Sequence, residues 1–181
     1  MSKRKHYWLL KSEPEDFSID DLERVKTEPW TGVRNYQARN FMRAMQPGDG
    51  VLFYHSNTEV PGIYGVAEVA CPAYPDPTQF EKKSKYFDPK STHEEPRWSL
   101  VDVGFVRKLA RPVPLADIRD HAEELGEDFA LIRKGTRLSV LPVTAAPWKT
   151  LLSIGDALLT VWVQGTQTET RQHPDWLFPL L

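Results

Sequence analysis

The stretch from Arg97 to Leu109, RWSLVDVGFVRKL, reads as a strand that is largely apolar on both faces. Alternation puts Trp98, Leu100, Asp102, Gly104 and Val106 on one side and Val101, Val103 and Phe105 on the other, so the strand needs cover on both and belongs inside a sheet. Asp102 is the exception. A buried carboxylate has to be hydrogen-bonded, so it either ties down a backbone or arginine neighbour or waits for a ligand amine.

The segments around it are short. Tyr7 to Lys11, Val51 to Ser56, Ile63 to Val69 and Leu138 to Val143 read as strands, set off by the turns Pro47-Gly48-Asp49 and Pro61-Gly62. Gly62 and Gly65 mark bends or close backbone approach. Ser18, followed three residues later by Asp21, opens a short helix through Val25 with a capping-box-like start. Further helices are expected near Leu115 to Arg119, near Asp128 to Arg133, and after Thr144 with Trp148, Leu151 and Leu152 inward. Pro72 to Pro96 is rich in Pro, Lys, Asp and Ser and reads as a long loop, a length that in a compact domain marks a functional or mobile segment. The alternation of strands and helices that builds a doubly wound sheet is missing, so the class is α+β, with a small, strongly bent sheet or barrel.

Trp30 to Arg39, WTGVRNYQAR, carries the most chemistry. Gly32 permits a turn, and Asn35 is placed to cap a helix whose stripe of Ala38, Phe41, Met42 and Met45 faces a core. Arg39 and Arg43 lie one turn apart on another face, where like charges repel unless an anion is near. A helix start with Arg34 beside it could hold a phosphate while Trp30 stacks on a base. The bland alternative is a solvated basic face with Trp30 in the core.

With 181 residues and 40% hydrophobic content the chain can bury a core as one domain. Its formal net charge of −2 argues against coating nucleic acid through many phosphate contacts but allows a pocket reader with few. Cys71 is the sole cysteine, which excludes an internal disulfide and multi-cysteine zinc sites. The five histidines lack metal-ligand spacing, so no metal or cofactor is expected. No stretch has the length of a signal peptide's apolar region or a membrane span, and a soluble, cytoplasmic protein is expected.

Six motifs, YWLLKSEP (7–14), WTGVRNYQARNFMRAM (30–45), FYHSN (53–57), PGIYG (61–65), YPDPTQF (74–80) and PRWSLVDV (96–103), together resemble the EVE domain. The resemblance runs from about Tyr7 to about Ile154 and sets a domain of residues 1–154 apart from an extension of 155–181. It implies a PUA-like bent β-barrel flanked by short helices, with a central pocket that reads modified bases, above all modified cytosines, in DNA or RNA. The pocket it implies is built from Lys11, Ser12, Glu13 and Pro14, Trp30, the turn Gly32-Val33-Arg34-Asn35-Tyr36, Tyr54 to Asn57, and Trp98 with Asp102.

A flipped base needs flat apolar faces and hydrogen-bond partners for its edge. Trp30, Tyr54 and Trp98 can supply faces; Ser12, Asn35, Ser56 and Asn57 can supply donors or acceptors, and Asp102 can accept from an exocyclic amine. Arg34, Arg39 and Arg43 are the candidate phosphate contacts. Only one face of the Val51–Ser56 strand lines the pocket; if it carries Tyr54, His55 is a satisfied core or surface histidine. The extension contains an apolar run, Ala157 to Val163, that needs cover, so packing on the barrel or pairing with another chain is expected.

The competing reading is an enzyme acting on a nucleotide or a nucleic-acid base. Cys71 with His55, or Ser56 with His55 and Asp102, could be drawn as nucleophile, base and orienter. However, Ser56 and His55 point to opposite strand faces, and nothing in sequence lowers the Cys71 pKa.

Overall fold

The computed structural model describes residues 5–126, 128–133 and 135–157. Six strands form one sheet in the order β2 (Thr27–Pro29), β7 (Asp102–Pro114), β4 (Gly62–Val69), β3 (Gly50–His55), β1 (Tyr7–Ser12) and β8 (Val140–Val143). β1 and β3 run parallel, Tyr7 opposite Gly50 through Ser12 opposite His55, and the other neighbours are antiparallel. The sheet curls into the bent half-barrel of an α+β fold, with short helices on its flanks. β5 (Tyr74–Pro75) and β6 (Ser99–Leu100) make a separate two-stranded ribbon.

Alternation along the strands builds a core on each face. Trp8 and Leu10 of β1 and Val51 and Phe53 of β3 face one cluster, closed by α1 (Ile19–Val25) and α2 (Tyr36–Ala44) through Leu22, Ala38 and Met42. Leu9, Leu52 and Tyr54 face the other. There α3 (Leu115–Asp120), α4 (Ala122–Leu125) and α5 (Ala145–Asp156) contribute Ile118, Leu125, Trp148 and Leu151.

The local sequence reasons are visible at both helix starts. Ser18 Oγ accepts from the Asp21 N–H at 3.1 Å while the Asp21 carboxylate accepts from the Ser18 N–H at 3.0 Å, a reciprocal capping box. Asn35 Oδ1 accepts from the N–H groups of Gln37 and Ala38 at 2.9 and 3.1 Å. Gly65 is needed for close approach, since a Cβ there would lie 2.6 Å from Ile19 Cδ1.

Three expectations change. The strand expected over Arg97–Leu109 is two pieces: β6 ends at Leu100, and β7 begins at Asp102 and continues to Pro114. The break at Val101 comes from contacts distant in sequence: its carbonyl accepts from the Trp30 N–H at 2.9 Å, and the Gln79 side-chain amide brackets the Trp98 backbone in place of a strand partner. An apolar pattern alone cannot separate one strand from two. The helix expected near Asp128 to Arg133 is a series of turns among the described residues, closed by i to i+3 bonds from the Phe129 N–H to Gly126 O and from the Ile132 N–H to Phe129 O, with Phe129 and Leu131 buried. Pro72 to Pro96 is a loop except for β5 and a 3-10 turn at Pro77–Gln79. α5 ends at Asp156, and the extension beyond Ala157, with most of its apolar run, lies outside the described residues.

Candidate functional site

A cavity of about 590 Å³ opens where the two ends of the sheet face each other. Glu28 and Pro29 of β2 and Trp30 form one wall; Arg137, Leu138 and Ser139, which lead into β8, form another. Lys11 and Ser12 at the end of β1 and Ser56 after β3 lie between them. Two backbone bonds hold this junction: the Lys11 N–H donates to Ser139 O at 2.9 Å and the Ser56 N–H to Ser12 O at 2.8 Å.

The aromatic wall is fixed from behind. Trp30 is 8% exposed and meets Phe53 edge to face, with ring centroids 5.5 Å apart, and Phe17 stands perpendicular to it at 6.4 Å. Tyr86, from the long loop, lines the cavity together with Trp30 and Phe17. Its backbone carbonyl accepts from Arg34 Nε at 2.8 Å, and its ring lies under the Arg34 guanidinium at 5.4 Å. The guanidinium completes a buried network: NH1 donates to Asp76 Oδ2 and NH2 to Thr78 Oγ1, both at 2.8 Å. Asp76, fully buried, also accepts from the Gly32 N–H at 2.9 Å. Burial alone would raise the Asp76 carboxyl; the hydrogen bonds from Thr78, Arg34 and Gly32 outweigh it and hold its pKa below the ordinary value.

Charged groups ring the opening. Lys85 pairs with Asp16 at 3.7 Å across exposed rim positions, and Asn57 Nδ2 donates to Glu13 at 3.0 Å. Burial lowers the Lys11 amine. Burial, with the charge of Asp102 second, raises the Glu28 carboxyl.

Of the residues expected at the site, Lys11, Ser12, Glu13, Trp30, Gly32, Val33 and Ser56 come together around this cavity. The others are placed elsewhere. Tyr54 points to the opposite core, because the Trp30 side of the sheet is the Phe53 face of β3; Lys11 Nζ sits 5.7 Å from its ring. Asn35 is the helix cap. Tyr36, 52% exposed, stacks on Trp98 at 4.9 Å, and Trp98 donates its indole N–H to Asp88 at 2.7 Å. Asn57, with φ +51°, lines a separate cleft beside Pro14 and Pro61. Asp102 accepts from the Tyr74 hydroxyl at 2.7 Å. Arg39 donates to Arg97 O at 3.0 Å and Arg43 to Ser99 Oγ at 2.9 Å, so both hold the strand that follows the loop.

Sequence reasoning passed over Tyr86, Phe17, Glu28 and the Arg137–Ser139 segment. A lone Tyr-Phe pair in a polar, proline-rich loop was the available signal for Tyr86; Glu28 sits in a strand too short to show a period.

The groups drawn as a catalytic set are not joined. His55 is buried, its Nε2 accepts from the Ile19 N–H at 3.1 Å, and burial lowers its pKa. Cys71 Sγ accepts from the Asp102 N–H at 3.3 Å, and burial pushes its thiol up, away from the reactive thiolate. Among the described residues no three His, Cys, Asp or Glu side chains gather as a metal site, and no helix is long and apolar enough to cross a membrane.

Comparison with known proteins places these features in context. The EVE domain family model matches residues 6–154. Thymocyte nuclear protein 1 of Mus musculus is 43% identical over 165 residues, covering 82% of this chain and 73% of that protein. A Leishmania major protein of solved structure is 51% identical, with a TM-score of 0.80 over 86% of this chain and 98% of its own. The crystal structure of human THYN1 protein in complex with 5-methylcytosine-containing DNA is 41% identical, with a TM-score of 0.81 over 85% of this chain and 99% of that one. The expected cytoplasmic location is overturned by the vertebrate relatives, which are named as nuclear proteins. The match across most of the described residues, by sequence and by fold, makes this chain a member of the EVE domain family.

Proposed function

We propose that the protein is a non-catalytic reader that encloses a single modified base, with modified cytosine the preferred class, in the cavity bounded by Trp30 and Tyr86. The observation that carries this reading is the cavity itself: its volume is in the range of small-ligand pockets, and its aromatic side chains are rigidly backed while polar groups line the rest. A base removed from its stack needs that combination. The human relative bound to 5-methylcytosine-containing DNA makes DNA the first polymer to test, and RNA the parallel arm.

With a net charge of −2, affinity rests on the pocket more than on phosphates. Arg34, Arg39 and Arg43 all spend their guanidinium groups on the protein, so the rim cations Lys85 and Arg137 are the phosphate contacts we put first.

The test is titration of the protein with otherwise identical DNA and RNA oligonucleotides bearing cytosine, 5-methylcytosine or another 5-substituted cytosine. Preference for a modified base, without base release or deamination, is the expected result. Equal affinity across the panel, or chemical conversion of the base, would sink the reading.

A further inference from the structure

The cavity carries three carboxylates, and two of them already have partners. Glu13 accepts from Asn57 and Asp16 pairs with Lys85. Glu28 is different. It stands on the cavity wall two positions before Trp30, half-buried, and among the described residues no hydrogen bond or ion pair engages its carboxylate. Asp102, the neighbouring acid, is occupied by the Tyr74 hydroxyl and adds negative charge behind Glu28 without offering a donor. A half-buried carboxylate that lines the cavity with no donor in the empty protein offers a free acceptor to a guest.

An ionised carboxylate only accepts hydrogen bonds. Resting on the base-reader proposal above, we infer that Glu28 reads the edge of the enclosed base by accepting from its exocyclic amine, so that the site selects amino-bearing pyrimidines over their oxo counterparts. 5-Methylcytosine and thymine show why this matters. Both present a methyl group at ring position 5, so an apolar contact for that methyl cannot tell them apart. At position 4 one carries an amine donor and the other a carbonyl acceptor. Against Glu28 the first gains a charge-assisted bond and the second sets oxygen lone pairs against a carboxylate. Sites built on a buried polar partner reject analogues that lack the matching group far better than apolar walls do.

The experiment compares the protein with Glu28→Gln and Glu28→Ala on single-stranded DNA oligonucleotides that differ only at one central base, 5-methylcytosine or thymine. Single strands remove the difference in unpairing cost. The unaltered protein is expected to prefer 5-methylcytosine by roughly tenfold or more, the worth of one good base-edge contact. Glu28→Gln, whose amide can donate or accept, is expected to bring the ratio to within about threefold chiefly by improving thymine binding. Glu28→Ala is expected to lose 5-methylcytosine affinity without gaining thymine. Thermal melting of each variant confirms that the fold is retained. An unchanged ratio in folded Glu28→Gln overturns the role of Glu28 while leaving the base-reader proposal standing. Failure of the unaltered protein to bind either oligonucleotide overturns both.

Discussion

Tyr86 lies directly over the α-carbon of Gly32: a Cβ added there would fall 2.5 Å from ring atom Cζ. Gly32 also has φ of +83°, where side chains are strained. Gly32→Ala is therefore expected to push Tyr86 out of the cavity, weakening 5-methylcytosine binding by about tenfold, the value of one base-aromatic stack. The cost in stability is expected near 1 kcal/mol. A folded Gly32→Ala protein with normal affinity would show that Tyr86 does not contact the ligand.

Arg34 offers a sharp contrast between positioning and phosphate binding. Its fork joins the Tyr86 carbonyl, Asp76 and Thr78, and removing it takes the one charged partner from a fully buried carboxylate that keeps its bonds from Gly32 and Thr78. Arg34→Ala is expected to lower stability by about 3 kcal/mol, and Arg34→Lys to rescue little, since an ammonium cannot span the same three acceptors. Because the guanidinium faces the protein, the salt dependence of DNA binding by the folded variant is expected to keep its slope. A slope shallower by about one unit would make Arg34 a phosphate contact after all.

Trp30 and Tyr54 separate cavity from core. Trp30→Ala would confuse binding with the loss of a buried ring packed on Phe53 and Phe17, a change worth about 3–5 kcal/mol. Trp30→Phe keeps an aromatic ring and is expected to weaken binding by about 1 kcal/mol, whereas Tyr54→Phe leaves affinity unchanged. Calorimetric titration of the two proteins checks this. Equal losses would put Tyr54 back at the site.

His55 predicts a pH effect on stability. Its Nε2 must stay unprotonated to accept from the Ile19 N–H at the start of α1, and its ring stacks on Tyr64 at 4.1 Å. Burial lowers its folded-state pKa below the ordinary 6.5, so the unfolded chain binds the proton first. The His55 contribution is full above about pH 6.5 and is lost as pH falls toward the lower folded value. His55→Gln retains an acceptor without titrating. Melting curves of the two proteins are expected to differ in their dependence between pH 7 and 5, the histidine form falling more steeply. Parallel curves would remove His55 as the cause.

Local chemistry was legible in the sequence; the choice of face was not. The Gly32 turn, the Asn35 cap and the Ser18–Asp21 box depend on neighbours a few residues away, and all three stand where the spacing puts them. Tyr54 and Phe53 alternate equally well, and only the docking of Trp30 on Phe53 decides which side of β3 faces the cavity. Asp102 left its expected place at the pocket, and Glu28 went unnoticed, for a similar reason. The break at Val101 and the pairing of Pro29 with Asp102 are non-local, and they leave Asp102 with Tyr74 while Glu28 lines the cavity. Tyr86 came from an aperiodic loop whose course is set by Asp76 and Arg34, a contact across 42 positions of sequence.

The cavity's place between β2 and β8 links occupancy to backbone dynamics. Among the described residues each of these strands has a hydrogen-bonded neighbour on one side, β7 for β2 and β1 for β8, and the cavity wall continues from one to the other across the gap. A guest seated there bridges two fraying edges as a rung would. Its binding energy then opposes local opening, so amide hydrogens of Val140–Val143 and Thr27–Pro29 should exchange more slowly in the bound protein, by the factor that ligand concentration over Kd sets. Edge protection becomes a measure of how tightly the base is held.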